Sequence, residues 1–308
     1  MKLWVGTTDN NWFAHLAQLQ PDEVNFWQPS GRPPFTGLPP GTPFLFKLKA
    51  PHNHIAGGGY FLRYEPLPLS LAWDAFEEKN GSSTLGGFQR LIAPLLRDGS
   101  PSDPIIGCTM LANPFFLPRE RWIPAPVTWS RNIVVGKTFD TAEEDGKALW
   151  EAVRLAMPPG IRAAEAPSQD EQRYGTPMLV APRLGQSSFR ALVAAAYERQ
   201  CAITGETTLP TLEAAHIRPY NLGGPHDLKN GLLLRADFHK LFDRGLVTVT
   251  SDRRVQVSDR IKDQWFNGKA YSRLHGEQLK RVPQAPGDQP DPEQLRWHND
   301  NVFEKLAS

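Results

Sequence analysis

The chain has 308 residues, 40% of them hydrophobic and 22% charged, the make-up of a soluble globular protein with enough apolar material for two domain cores. The formal net charge is +1, so no overall basic field announces a nucleic-acid binder, and no apolar run approaches the roughly 18 residues that a membrane span needs. Two widely separated cysteines, Cys108 and Cys201, exclude a disulfide framework and fit a reducing compartment. With no signal-peptide pattern in MKLWVGTTDN, a cytoplasmic location is expected.

Residues 1–157 read as a strand-rich domain. LWVGT (3–7), VNFW (24–27), FLFKLK (44–49), IIGCTML (105–111) and NIVVG (132–136) are short apolar or alternating runs bounded by Gly and Pro, the pattern of strands. Gly57, Gly58 and Gly59 read as a flexible turn and lack the spacing of a phosphate loop. Helices are expected near Leu71–Lys79 and from Thr141 to Met157, where Leu149, Trp150 and Val153 recur at helical spacing.

The stretch 158–181 is rich in proline and charge and has no periodicity, so it reads as a linker. A second domain, 182–308, follows. Phe189, Leu192, Val193, Ala196 and Tyr197 form one helical face, with Ser187 or Ser188 as its cap. LEAAHI (212–217) predicts a strand, RPYNLGGPHDLKN (218–230) a loop and LLL (232–234) a second strand or the entry to a helix. ADFHKLFDRG (236–245) predicts a short helix, capped by Asp237 and stopped at Gly245. LVTVT (246–250) and RVQVS (254–258) predict a hairpin. From Asp252 to Arg281 there are eight basic and four acidic residues, a local excess of +4, with Arg253 and Arg254 at its head as candidate phosphate contacts.

Hydrolysis of a phosphodiester needs a deprotonated water, a polarised phosphate and a stabilised leaving oxygen. One neutral imidazole can supply the first, and one divalent metal the other two. The second domain offers residues of these types. His216 ends a strand, Asn230 closes the loop, and His239 and Asp243 lie four apart on one face of the short helix. His226, in the Gly/Pro loop, reads as structural.

The run from Cys201 to Gly245, with A-A-H-I, N-G-L-L-L and H-x-L-F-D, resembles the HNH endonuclease family, in a subgroup that occurs in bacterial restriction enzymes. The resemblance extends over 180–270 and takes in PRLGQSSFR (182–190), whose Arg183, Gln186 and Arg190 are candidate DNA contacts. It implies a ββα-metal fold, with His216 as general base, Asn230 as the residue orienting it, and His239 and Asp243 as metal ligands. It also implies a divalent cofactor, one of Mg²⁺, Mn²⁺, Co²⁺ or Ni²⁺. Many members carry a ligand just before the base, where this chain has Ala215; Glu213 is the nearest acid, but on a regular strand it faces away from His216. Many members also bind a structural zinc through paired cysteines. Only Cys201 remains here, with Thr204 at the partner position, so no structural zinc is expected.

The first domain is similar to the PUA-like superfamily, including EVE and SRA-type modules, in VNFWQPSG (24–31), FLFKLKAPHNHIAGGGYF (44–61) and LPLSLAWDAFEEKNG (67–81). That resemblance implies a pocket for a flipped, modified base such as 5-methylcytosine, with Asn25, Trp27, Ser30, Tyr60 and Trp73 as candidate lining residues. The expected architecture is α+β, a PUA-like reader joined to an HNH cutter, and the expected partner is double-stranded DNA with a modified base. Two alternatives stand beside it: a nuclease whose first domain binds a protein or RNA partner, and an inactive reader with Ala215 as the mark of decay. Each HNH centre cuts one strand, so double-strand cleavage would call for a homodimer.

Overall fold

The computed structural model describes residues 1–97, 99–130, 132–158, 184–265 and 268–304. Residues 159–181 of the expected linker, and Arg183, lie outside them. The chain divides into two compact units, Met1–Gly185 and Gln186–Ser308.

The first unit is built on a mixed sheet. Its strands are β1 (Lys2–Thr8), β2 (Glu23–Gln28), β3 (Pro43–Leu48), β4 (His54–Pro68), β5 (Ile105–Phe116), β6 (Ile123–Pro124) and β7 (Gly136–Asp140). The order is β2-β5-β4-β3-β1-β7, with β6 beside β4, and β1 and β3 are the parallel pair. Helices α1 (Asn10–Leu19), α2 (Leu69–Phe76), α3 (Leu85–Ile92) and α4 (Glu144–Ala156) accompany it. Apolar clusters fill the unit among the described residues. One, rich in aromatics, gathers Trp12, Phe13, Phe44 and Phe46; another gathers Leu3, Val5, Phe139, Leu149 and Val153.

Helix α1 has a clear local cause. Asp9 Oδ1 accepts from the amides of Asn11 and Trp12, at 2.9 and 3.3 Å, and so satisfies two orphan donors of the first turn. Trp12, Phe13 and Leu16 form the buried face. Strand β4 corrects the reading of Gly57–Gly59 as a turn, because all three lie inside it. A Cβ on Gly57 would stand 2.2 Å from the Phe115 carbonyl oxygen, and one on Gly58 would stand 2.7 Å from that of Phe44. The glycines are there for close backbone approach in the bulged ladder between β3, β4 and β5. NIVVG is also corrected: the strand starts at Gly136, and Val134 and Val135 are exposed. The helix expected to reach Lys79 stops at Phe76 and passes into a 3₁₀ turn, Glu77–Asn80.

The second unit contains α5 (Gln186–Ala196), the hairpin β8 (Leu212–His216) and β9 (Gly231–Arg235), and α6 (Ala236–Asp243) directly after β9. A second hairpin, β10 (Val247–Val249) with β11 (Val255–Val257), follows as expected. Helices α7 (Arg260–Trp265), α8 (Lys269–Ser272) and α9 (Pro292–Asn301) complete it. Because α5 begins at Gln186, Ser187 and Ser188 lie inside the helix rather than at its cap, and Ser188 is buried. Asp237 does not cap α6 either: it takes a two-pronged ion pair from Arg235 at 2.7 and 2.8 Å. Gly245 stops α6 at φ +66°, and a Cβ there would meet the Val302 carbonyl oxygen at 2.0 Å. Helix α9 is keyed in by His298, whose ring stacks on Phe242 at 3.6 Å. His298 Nε2 donates to the Phe242 carbonyl and Nδ1 accepts from the Thr248 hydroxyl, while burial holds its pKa down to about 4.

Gly57→Ala should lower the stability of the first unit by about 1–3 kcal/mol, because the Phe115 carbonyl is backbone and cannot step aside. Denaturant unfolding of the full chain checks this, and an unchanged midpoint for that unit would contradict it.

Candidate active site

The register of the first hairpin fixes the site. His216, the last residue of β8, pairs with Gly231, the first of β9. A Cβ on Gly231 would lie 2.6 Å from Val193 and 3.0 Å from Phe189, so glycine lets α5 pack close beneath the hairpin. Phe189 then stacks on the His216 ring, with centroids 3.9 Å apart and planes 9° apart. This platform holds the imidazole half-buried. Burial, helped by the neighbouring charges of His226 and His239, lowers the His216 pKa below its ordinary 6.5. The ring is therefore neutral at physiological pH, the form that accepts a proton. His216 Nε2 is buried and has no hydrogen-bond partner.

Asn230 acts one step away from that ring. It is fully buried. Its Nδ2 donates to the carbonyls of Arg218 and Pro225, at 2.8 and 3.0 Å, and its Oδ1 accepts from the Arg218 amide at 2.9 Å. Its own carbonyl accepts from the Ile217 amide. Asn230 thus clamps the chain that leaves His216.

Helix α6 carries the remaining pair. Phe238 and Phe242 anchor one face. His239 and Asp243 lie one turn apart on another, with Nε2 and Oδ2 at 3.4 Å. On the far side of the His239 ring, Nδ1 is 2.7 Å from Oε2 of Glu213. Although 59% of the Asp243 side chain is open to solvent, the cleft wall and the Glu213 charge raise its pKa, with His239 partly offsetting them. Such a carboxyl gains from a cation beside it.

These groups line a cleft of about 960 Å³. It takes Gln186, Phe189 and Arg190 from α5, Glu213 and His216 from β8, His239 and Asp243 from α6, and Trp297 and His298 from α9. Two of the expected DNA contacts, Gln186 and Arg190, are therefore at the cleft. Arg253 and Arg254 are not part of its lining: Arg253 bonds to Gln289, and Arg254 to the Gly276 carbonyl and Asp252. Arg218 sits over the Trp297 ring at 4.9 Å. Phe189, Trp297 and His298 are contributors that reading the sequence missed, and Glu213 is one that it set aside as facing away from His216. For Phe189 the signal lay in its own helical face, which must pack on something; for Glu213 it was an acid three residues before the base.

The donor set fits a hydrated divalent cation. An imidazole nitrogen and a carboxylate oxygen 3.4 Å apart span an edge suited to two ligands of one ion, at metal–ligand distances of about 2.1 Å. Among the described residues no three His, Cys, Asp or Glu side chains are grouped to chelate an ion by themselves. An ion on this edge would rest on His239 and Asp243, with water and phosphate oxygens completing its shell. Cys201 is buried, and its sulfur accepts from the amides of Thr204 and Arg235, at 3.4 and 3.3 Å.

In the first unit, Asn25, Trp27 and Trp73 come together around Asn80 and Phe88. Asn25 Nδ2 donates to Asn80 Oδ1 and to Cys108 Sγ, the Trp27 indole donates to the Asn80 carbonyl, and both tryptophans pack on Phe88. Asn25 Oδ1 is buried without a partner. Ser30 is exposed just beyond β2, and Tyr60 is buried in β4 between Pro43 and Ala112.

Asn230→Ala should destabilise the second unit by about 1–3 kcal/mol, since it leaves the Arg218 amide and two carbonyls without partners. Guanidinium unfolding together with hydrogen exchange at the Arg218 amide checks this. Unchanged protection there would contradict the clamp.

Residues 201–250 match the family model described as HNH endonuclease. No protein of curated function matches the chain. A solved structure described as a modification dependent TagI restriction endonuclease aligns over 93% of this chain and 79% of its own, at 15% identity and a TM-score of 0.28. No helix among the described residues is long and apolar enough to cross a membrane. Residues 201–250, which hold His216, Asn230, His239 and Asp243, are an HNH endonuclease domain.

Proposed function

We propose that this chain is a divalent-metal-dependent DNA endonuclease that hydrolyses phosphodiester bonds and acts on DNA carrying a modified base. The observation that carries the reading is a neutral, ring-stacked His216 in the same cleft as the His239–Asp243 pair. His216 takes the proton from the attacking water. Phe189 and the Asn230 clamp keep its ring in place, so little orientation is lost at the reacting moment. His239 and Asp243 would hold the ion, which when bound polarises the scissile phosphate and stabilises the leaving oxygen. Arg190 and Gln186, at the α5 edge of the cleft, contact the DNA backbone.

The first unit serves as the reader in this proposal. What supports it is the resemblance to PUA-like modules and the buried, unpartnered Oδ1 of Asn25, whose Nδ2 donates to Asn80, the residue whose carbonyl takes the Trp27 indole. Digestion of matched methylated, hydroxymethylated and unmodified plasmids with Mg²⁺, Mn²⁺, Co²⁺ or Ni²⁺ tests both halves. Preferential cutting of a modified plasmid supports the reader. Equal cutting of all three gives the first unit to a protein or RNA partner, and no cutting with any of the metals sinks the nuclease.

His216→Ala should lower the single-turnover cleavage rate by roughly 10²–10⁴-fold with Mn²⁺ affinity unchanged. A variant within tenfold of wild type would remove His216 from the base role. The wild-type pH profile follows from the lowered pKa. A base must be unprotonated, so a downward shift moves the acidic limb to lower pH. The half-maximum of the acidic limb should therefore lie below pH 6.5. A half-maximum above that value would contradict the assignment.

A further inference from the structure

The atom that His239 offers to a metal is settled on the opposite side of its ring. Nδ1 lies 2.7 Å from Glu213 Oε2, a hydrogen-bond distance, whereas Nε2 lies 3.4 Å from Asp243 Oδ2, too long for a good one. An ionised carboxylate has no proton to give, so the 2.7 Å contact requires the hydrogen on Nδ1. In the neutral ring this leaves a bare lone pair on Nε2, on the side of Asp243. We propose that Glu213 is a positioning residue for the metal centre. It holds His239 in the Nδ1–H tautomer and fixes the ring so that Nε2 is the ligating atom. The inference rests on the metal-centre reading above.

The fold explains how Glu213 reaches the metal ligand. Glu213 and His216 both reach the cleft from β8, Glu213 near its start and His216 at its end. Glu213 pairs with Leu234 near the end of β9, and α6 begins two residues after Leu234, at Ala236. The Glu213 side chain therefore meets α6 at His239. One five-residue strand supplies both the general base and the carboxylate that orients the ligand.

Direct ligation by Glu213 fits less well. The two ring nitrogens point apart, and Oε2 is on Nδ1, so one ion cannot take both Nε2 and that oxygen. A carboxylate on the second nitrogen of a ligating histidine also raises its basicity, and removing such a partner typically costs 10–100-fold in metal affinity. The missing acid before the base, where Ala215 stands, does not leave the centre without a second carboxylate. Glu213 provides it behind the ligand.

The test uses the full-length protein without metal, ¹⁵N-labelled at histidine, at about pH 8.5, two units above the ordinary imidazole value. Long-range ¹H–¹⁵N spectra of wild type, Glu213→Ala and Glu213→Gln report which ring nitrogen of His239 carries the proton. Mn²⁺ calorimetry is then run on the same samples. Wild type should show a protonated Nδ1 and a bare Nε2. Glu213→Ala should shift the ring toward the Nε2–H tautomer and weaken Mn²⁺ binding by about 10–100-fold. Glu213→Gln, whose amide carbonyl still accepts, should keep the tautomer and recover most of the affinity. A wild-type ring protonated on Nε2, or an alanine variant with unchanged tautomer and affinity, overturns the role of Glu213 alone. A wild type that binds no Mn²⁺ overturns the metal-centre reading, and the proposal with it.

Discussion

The pairing of His216 with Gly231 is the constraint on which the rest of the site depends. Only a residue without a side chain lets α5 approach that end of the hairpin, and only that approach brings Phe189 flat against the imidazole. The stack buries one face of the ring, and burial is the largest cause of its lowered pKa. The backbone position of Gly231 is tied further by Tyr197, whose hydroxyl donates to the Gly231 carbonyl. A single small residue thus links helix packing, ring orientation and protonation state.

Charge is arranged on the other wall in a complementary way. Two carboxylates, Glu213 and Asp243, flank the His239 imidazole. Desolvation raises the pKa of Asp243 and the Glu213 charge adds a smaller push, while His239 partly offsets them. In the proposed function His216 is the neutral base and His239 with Asp243 the ligand pair, the two elements that metal-assisted hydrolysis at neutral pH needs. Helix α9 closes this wall, since His298 keys into Phe242, next to the residue that ends α6 at Asp243.

Local patterns carried far in the sequence. The order strand, loop, strand, helix around His216, Asn230 and His239 was legible because each element is short and marked by its own turn residues. Gly245 was readable as a stop for the same reason. What stayed hidden depends on partners remote in the chain. Gly57–Gly59 resemble a turn until β3 and β5 crowd both sides of them. Asp237 resembles a cap until Arg235 and Tyr271 claim its oxygens. Glu213 is expected to face away from His216 on a regular pleat, yet both line the cleft, and nothing local says that α6 will bring His239 to it. Arg253 and Arg254 head a basic stretch, and nothing local says that Gln289 and the Gly276 carbonyl will bond to them. Helix α1 could have been found from Asp9 and the Trp12, Phe13, Leu16 spacing, but its polar start masks that pattern.

The central claim is that one divalent ion sits between His239 Nε2 and Asp243 Oδ2, across the cleft from a neutral His216. Anomalous diffraction at the manganese edge, from crystals of the full chain grown with Mn²⁺ and a short DNA duplex, tests it most directly. The account predicts one strong peak within coordination distance of both atoms, about 2.1 Å, with a phosphate oxygen on its open side. A peak elsewhere in the chain, or none at this pair with the duplex bound, would contradict it.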